Sequence, residues 1–291
     1  MKQADTRIAL LCLAIALLTA VASASGIFAR GDGSFEPVVS TRGEHYEMAT
    51  TGVYAYNSVQ VVAEGVGWDI VTLLIAVPAL LAILPALARA SLAARLLAVG
   101  ILAYLFYQYL MYAVTWAFGP LFLLFVGIYA LSLTAIVLIV ARIPVAELPH
   151  RFSDEFPRRG MAVLAFLLAL LLVAMWLPRV GSATNGNIQG VLHGQATLVV
   201  QALDLGLIVP LAVFTDVTAW RGHAIGYLLC STVVVKAFTM AAAICAMLLS
   251  AGAFTGRLQV APLAVFAVAA VATAWLGSLM YRSLGSPGQP S

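Results

Sequence analysis

The chain has 291 residues, of which 63% are hydrophobic and 9% are charged, and its formal net charge is +3. About a quarter of the residues in a soluble domain are charged, and the mean hydropathy here is +1.03. Lipid rather than water must therefore cover most of this protein, and the small, scattered positive charge does not indicate a nucleic acid partner.

Apolar runs recur along the chain, each near the ~20 residues that a helix needs to cross a bilayer. The alternating segments of an outer-membrane barrel are not present. Because only helices then satisfy the backbone polar groups in lipid, the sequence predicts an all-α, polytopic transmembrane helix bundle. About eight spans are expected, at 7–29, 69–88, 93–116, 119–141, 160–178, 198–220, 224–250 and 259–281.

The distribution of basic residues predicts how these spans are oriented. Most of the arginines lie on the side of the two termini, and the opposite side holds Arg30, Arg42, Arg179 and Arg257. We therefore expect a multi-pass protein of the cytoplasmic (inner) membrane, with both termini in the cytoplasm and residues 30–68 as an outer loop. The expected partners are the lipid bilayer and other membrane subunits.

The first span also has the pattern of a secretory signal. Lys2 and Arg7 precede an apolar stretch, and Ala22-Ser23-Ala24 fits an A-x-A cleavage site. Cleavage would leave seven spans. Because the apolar run continues to about Ala29, we expect a retained helix.

The spans divide into two sets of four with the same layout, which predicts a parallel four-plus-four duplication. The first transmembrane half is 1–142, the cytoplasmic linker is 143–159, and the second transmembrane half is 160–291. Parallel repeats occur among secondary transporters, although the arrangement alone does not name a function.

The best local match between the halves runs from Gln60 to Pro78 and from Gln195 to Pro210. Each segment begins with glutamine and reaches an aspartate nine residues later, at Asp69 and Asp204. A proline follows each aspartate within the same span, where it can kink the helix.

Lys236 lies near the middle of the seventh span, where an ionisable group needs a partner or a purpose. The sixth and seventh spans are antiparallel, which places Asp204 within reach of the lysine and predicts an Asp204–Lys236 ion pair. Gln201 falls on the same face as Asp204. The pair either holds two helices together or couples a proton or substrate, and a neutral, desolvated lysine is a third reading.

Tyr104, Gln108 and Tyr112 recur every four residues in the third span and form one polar stripe. Buried hydroxyls and amides need partners, so the stripe should face the bundle, either as hydrogen-bonded packing or as the lining of a ligand cavity. Asp69 is expected to cap the outer end of the second span. With His193 in the corresponding outer loop, it marks the outer face as the place for a small-molecule or ion site.

Motifs for familiar cofactors are missing from the sequence. The four histidines lie in loops or at span ends, so ligands for a bis-histidine haem are lacking. No zinc motif and no nucleotide-binding motif is present, no metal site is predicted, and the cofactor stays unknown.

Three functions fit these features. The leading hypothesis is a small-solute transporter or permease-like bundle with a buried Asp–Lys pair. The alternative is a non-catalytic membrane subunit or scaffold of a larger complex. An intramembrane lipid-modifying enzyme comes third, since no acid–base constellation or catalytic residue is visible. A transporter should contain a polar cavity leading to Lys236, whereas a scaffold should be filled there.

Overall fold

The computed structural model describes residues 2–285, and this part of the chain contains eight helices that are long and apolar enough to cross a membrane. The prediction of a polytopic transmembrane helix bundle is confirmed. The eight helices are α1 (Lys2–Phe28), α2 (Val59–Ala88), α3 (Leu92–Thr115), α4 (Phe122–Val140), α5 (Arg158–Thr184), α6 (Val199–Trp220), α7 (Ala224–Thr255) and α8 (Val260–Arg282).

An antiparallel hairpin precedes α2, formed by β1 (Phe35–Val39) and β2 (His45–Ala49). The all-α prediction did not include it. Asp32 joins the two ends of this hairpin, because its carboxylate accepts hydrogen bonds from the Ser34 hydroxyl and the Thr51 hydroxyl, both at 2.7 Å. Hydrogen bonds from Ser34 and Thr51 to the charged form lower the pKa of Asp32 to about 2. We call the end of the bundle that carries this hairpin the hairpin end.

Two spans contain a π-helical segment at a matching place. The segments are Thr72–Ala76 in α2 and Asp204–Ile208 in α6. Each is followed two residues later by a proline, Pro78 in α2 and Pro210 in α6. The amide just after each segment donates to the carbonyl of the segment's first residue, five residues back. A proline ring collides with the carbonyl four residues before it, and a widened turn relieves that collision.

The turns after these spans also match in detail. Ala90 and Gly222 both have positive φ, 63° and 74°, and their amides donate to the carbonyl three residues earlier at 2.9 and 3.0 Å. Ser91 and His223 follow as helix N-caps, and their amides donate to the carbonyl five residues earlier. In this register Asp204 corresponds to Thr72, and not to Asp69 as the local sequence match predicted.

The centre of the bundle is built from helices of both halves. The helix α7 packs against α2 and α3, α3 also contacts the start of α6, and α4 and α8 pack on α3 and α7 respectively. On the outside, α1 packs against α2 and α5 packs against α6. Each contact within the first half thus has a counterpart in the second.

The opposite end, which we call the linker end, is held by a buried ion cluster. Asp5, which is 3% exposed, accepts a hydrogen bond from Arg95 at 2.7 Å and lies 3.6 Å from Arg142. Arg95 also donates to the backbone carbonyl of Arg142 at 2.8 Å. These contacts join α1, α3 and the end of α4.

The segment between the halves is packed against the bundle. It comprises residues 141–157, because α4 ends one residue before the predicted span and α5 begins two residues before it. Phe156 stacks on Tyr227 with ring centroids 4.7 Å apart, and Phe152 pairs with Leu284 in an isolated bridge. The linker therefore contacts the second half at α7 and after α8.

A glycine permits the close approach of α2 and α7. A Cβ added at Gly67 would overlap the backbone of Ala246 and Met247. We expect Gly67→Ala to lower the free energy of unfolding by about 2 kcal/mol, because backbone cannot yield as a side chain can. Gly127→Ala in α4 is the control, since an added Cβ there meets nothing within 4 Å. Thermal unfolding in detergent measures both, and equal midpoints would contradict the expectation.

Candidate functional site

The polar face of α3 lies at the centre of the bundle. Tyr104, Tyr107, Gln108 and Tyr112 are each at most 3% exposed. These side chains lie on two adjacent faces of α3. Three of them contact α2, and Tyr107 contacts α6. Two separate polar clusters result.

The first cluster surrounds Asp69 of α2, which is fully buried. The Tyr54 hydroxyl donates to Oδ2, and Oδ1 accepts from Gln108 Nε2 at 3.5 Å and from the Tyr112 hydroxyl at 3.4 Å. Gly26 of α1 closes the cluster, because an added Cβ would overlap Asp69 Oδ2 and the Tyr54 hydroxyl. Within residues 2–285 no cation pairs with this carboxyl group.

A hydroxyl in the π segment of α2 extends the same network. The Thr72 hydroxyl donates to Gln108 Oε1 at 2.7 Å and accepts from the Tyr104 hydroxyl at 2.8 Å. The predicted stripe of Tyr104, Gln108 and Tyr112 therefore faces the bundle, and each of its polar groups has a hydrogen-bond partner.

The expectation that Asp69 caps the second span is wrong. The helix begins at Val59, where Ser58 is the N-cap and its side chain accepts from the amide of Val61 at 3.4 Å. Asp69 consequently lies in the third turn of α2. Gln60 and Glu64 made the first turns look too polar to belong to the span, but Gln60 Nε2 donates to Glu64 Oε1 at 2.6 Å within the helix.

The second cluster surrounds Asp204, the first residue of the π segment of α6 and 7% exposed. The Tyr107 hydroxyl donates to Oδ1 at 2.5 Å, and Trp176 Nε1 of α5 donates to Oδ2 at 2.7 Å. Both carboxylate oxygens thus have a partner from a different helix. This arrangement ties α6 to α3 and α5 at membrane depth.

Lys236 belongs to the same cluster, but it does not contact the carboxylate as predicted. The three ion pairs found within residues 2–285 do not include Asp204 and Lys236, which lie beyond the 4.0 Å salt-bridge distance. Instead, Lys236 Nζ lies over the Tyr107 ring, 4.2 Å from its centroid. A cation over an aromatic face is attracted by the ring quadrupole. Tyr107 therefore connects the two charged groups: its hydroxyl donates to Asp204, and the face of its ring contacts Lys236.

Trp68 of α2 lies between the two clusters. Its ring centroid is 5.6 Å from that of Tyr112 and 6.4 Å from that of Tyr107. The residue is 3% exposed, and its indole N–H has no hydrogen-bond partner in the described structure. An unpaired buried donor is uncommon in native proteins. The Trp68 ring also contacts an aromatic ring of each polar cluster.

A cavity of about 390 Å³ lies at the hairpin end, one turn before Asp204 on α6. It is bounded by the last turns of α5, the loop before α6, the first turns of α6 and the tip of the hairpin. Gln201 lines it, is 6% exposed and makes no side-chain hydrogen bond within residues 2–285. The structure therefore puts Gln201 in a cavity wall rather than in the Asp204 network.

A carboxylate fastens the hairpin over this region. Glu44, 1% exposed, accepts from the amides of Leu192 (3.1 Å), His193 (3.0 Å) and Gly194 (2.9 Å). His193 thus contributes its backbone, with φ of 52°, and its side chain makes no hydrogen bond in the described chain. Burial and the nearby Arg179 cation lower the pKa of His193.

The chemistry available to these groups is limited. Among residues 2–285, no three His, Cys, Asp or Glu side chains come close enough to hold a metal ion. The two aspartates can accept hydrogen bonds and exchange protons, and the lysine supplies a positive charge. This set suits binding and charge compensation inside the bundle.

Sequence reasoning missed several residues of these clusters. Tyr54, Thr72 and Trp176 each hydrogen-bond a polar partner from another helix or segment, and Glu44 and Arg42 reach the second half from the hairpin. Thr72 could have been found by aligning the two prolines rather than the two aspartates. The others depend on long-range contacts that leave no local pattern.

These features define a multi-pass helical membrane protein with two buried acidic clusters, one in which hydroxyls and an amide donate to the carboxyl group and one accompanied by a lysine. Comparison with known protein families, with curated proteins and with solved structures finds no match to this chain.

The clamp between the hairpin and the 192–194 loop can be tested directly. We expect Glu44→Gln to release the hairpin, because an amide oxygen accepts from the three amides far more weakly than a carboxylate does. Hydrogen–deuterium exchange should rise by about tenfold in β1, β2 and residues 190–195, as loss of about 1.4 kcal/mol of local stability implies. Glu47→Gln on the exposed side of β2 is the control, and equal exchange in both variants would refute the clamp.

Proposed function

We propose that this protein transports a small solute across the membrane, with Asp204 and Lys236 at the centre of the pathway. One observation carries the proposal: a carboxylate and an ammonium are kept inside the bundle, joined through Tyr107, about one helical turn from a cavity at the hairpin end. An ionisable group at membrane depth is unfavourable by at least ~2.5–3.5 kcal/mol on insertion scales, so it needs a partner or a purpose.

We further propose that the two halves, 1–142 and 160–291, are parallel duplicates joined by the linker. The matching π segments and the matching turns support this. In the same register, Thr72 and Tyr104 stand where the second half has Asp204 and Lys236. The neutral pair joins α2 to α3 by a hydrogen bond of 2.8 Å, so this position of the fold is held without charge.

The charges of the second half therefore call for a role beyond packing. The polar groups of the first-half cluster are hydrogen-bonded to one another, whereas the second-half cluster adjoins a cavity lined by the amide of Gln201. A carboxylate here can bind a proton or a solute and release it when Lys236 compensates the charge.

The main rival is a non-catalytic membrane subunit, and one observation favours it. The side of α8 that packs against no other described helix is strongly apolar, with Val260, Val265, Val268, Val271 and Trp275 at least half exposed. Such a face suits a second membrane protein as well as lipid. An intramembrane lipid-modifying enzyme has less support, since the described titratable groups do not gather around the cavity.

The distribution of arginines supports a location in the cytoplasmic (inner) membrane with both termini in the cytoplasm. The hairpin end would then face outward, together with its cavity. The bilayer and other membrane subunits remain the proposed partners.

The first-half pair supplies a test of the charged pair. We expect Asp204→Thr and Lys236→Tyr to lower the thermal midpoint singly, because each leaves one buried charge without its counterpart. The double variant should regain most of the midpoint that the single variants lose, since it removes both charges and leaves only the Trp176 N–H without its acceptor. Its solute uptake should fall by about tenfold or more, because the charges act in transport and not in packing.

Uptake is measured by stopped-flow light scattering of proteoliposomes with a panel of sugars, amino acids, carboxylates and amines. The wild type should accelerate uptake of at least one solute over empty liposomes. A folded double variant that retains this uptake would show that the charges are structural. If the wild type accelerates no solute while both proteins are equally stable, the scaffold is the correct function.

A further inference from the structure

The cavity at the hairpin end has a lining that selects for charge. Arg42, at the tip of the hairpin, is the one charged residue in the described wall, and the other lining residues are neutral or apolar. Arg42 makes no ion pair within residues 2–285. The nearest acidic residue in sequence, Glu44, already uses both of its oxygens on three backbone amides. No carboxylate lines the described wall, so the charged group at the cavity is a cation.

The start of α6 adds to this preference. This helix of 22 residues begins at Val199, and its N-cap Leu198 supplies no side-chain hydrogen bond to the first amides. Thr197, Leu198, Gln201 and Ala202 all line the cavity, so the first turn of α6 borders it. Uncapped amides and the helix dipole make a helix start favourable for an anion.

Gln201 provides a further observation that points to a ligand. It is 6% exposed, lines the cavity and has no hydrogen-bond partner in the described structure. The amide atoms of Gln201 are not enclosed by protein, so its N–H group can donate to a ligand in the cavity. The remaining wall is largely apolar, formed chiefly by Val180, Leu192, Leu198 and Leu205.

We propose that this cavity binds a small organic monoanion, a short-chain carboxylate, held by Arg42, Gln201 and the start of α6. The apolar wall takes the carbon chain, and the volume of about 390 Å³ suits a small molecule. This rests on the proposed transport function, because it names the substrate class of the same pathway. Asp204 does not line the cavity but lies about one turn further along α6, where its carboxyl group can carry a proton in step with the anion. A proton moved with a monoanion leaves the net charge unchanged.

Binding to the purified protein in detergent tests the assignment without relying on transport. Sodium butyrate, butylamine hydrochloride and butanol have similar chains but are negative, positive and neutral, and titration calorimetry gives Kd for each. Butyrate should bind at least tenfold more tightly than the other two. Arg42→Ala and Gln201→Leu should each weaken butyrate binding by about tenfold, with the thermal midpoint of the free protein unchanged.

Arg257→Ala is the matched control, because Arg257 is an exposed arginine in the connection between α7 and α8 at the same end and does not line the cavity. If Arg257→Ala weakened butyrate binding as much as Arg42→Ala, the effect would come from general surface charge, and the proposed site would be wrong. Tighter binding of butylammonium or butanol would overturn the ligand class. Transport of another solute that depends on Asp204 would then leave the proposed function standing, so the two failures are distinguishable.

Discussion

The structure depends on the pairing of buried polar groups along α3 inside the bundle. Lipid cannot satisfy a hydroxyl, an amide or a carboxyl group, so the polar groups of α2 and α6 must meet partners within the protein. α3 supplies them on adjacent faces, with Gln108 and Tyr112 toward Asp69 and Tyr107 toward Asp204. A rotation of α3 about its axis would break these contacts and leave each aspartate with one donor, Tyr54 for Asp69 and Trp176 for Asp204. The contacts of α3 therefore help to fix how the two halves meet.

The two clusters solve the same physical problem in different ways. In the first half a carboxyl group is surrounded by hydroxyls and an amide, and neutral hydrogen bonds fill the space to the next helix. In the second half, Asp204 and Lys236 stand at the positions that match Thr72 and Tyr104, and Tyr107 lies between them. A filled neutral cluster suits a rigid core, whereas a charged pair beside a cavity can change its protonation or its partner. The two clusters thus differ in chemistry although the π segments beside them match in backbone structure.

The hairpin connects this interior to the outside of the bundle. Glu44 fixes it to the loop before α6, and Arg42 reaches the cavity from its tip. A segment from the first half therefore completes the cavity of the second half. Such an exchange makes the two halves one functional unit, even where their helices pack as separate sets. The central contact of α7 with α2 has the same effect within the membrane.

The sequence by itself determined the number of spans, and it identified Asp204, Lys236 and the Tyr104–Tyr112 stripe as interior groups, because hydropathy and helical periodicity are local properties. It could not determine which partner each group takes. A rotation of a helix or a shift of one turn changes the partner without changing the pattern, so only the tertiary structure set Tyr107 between Asp204 and Lys236. It also decided that α2 begins at Val59, because the polar residues of its first turns are paired within the fold.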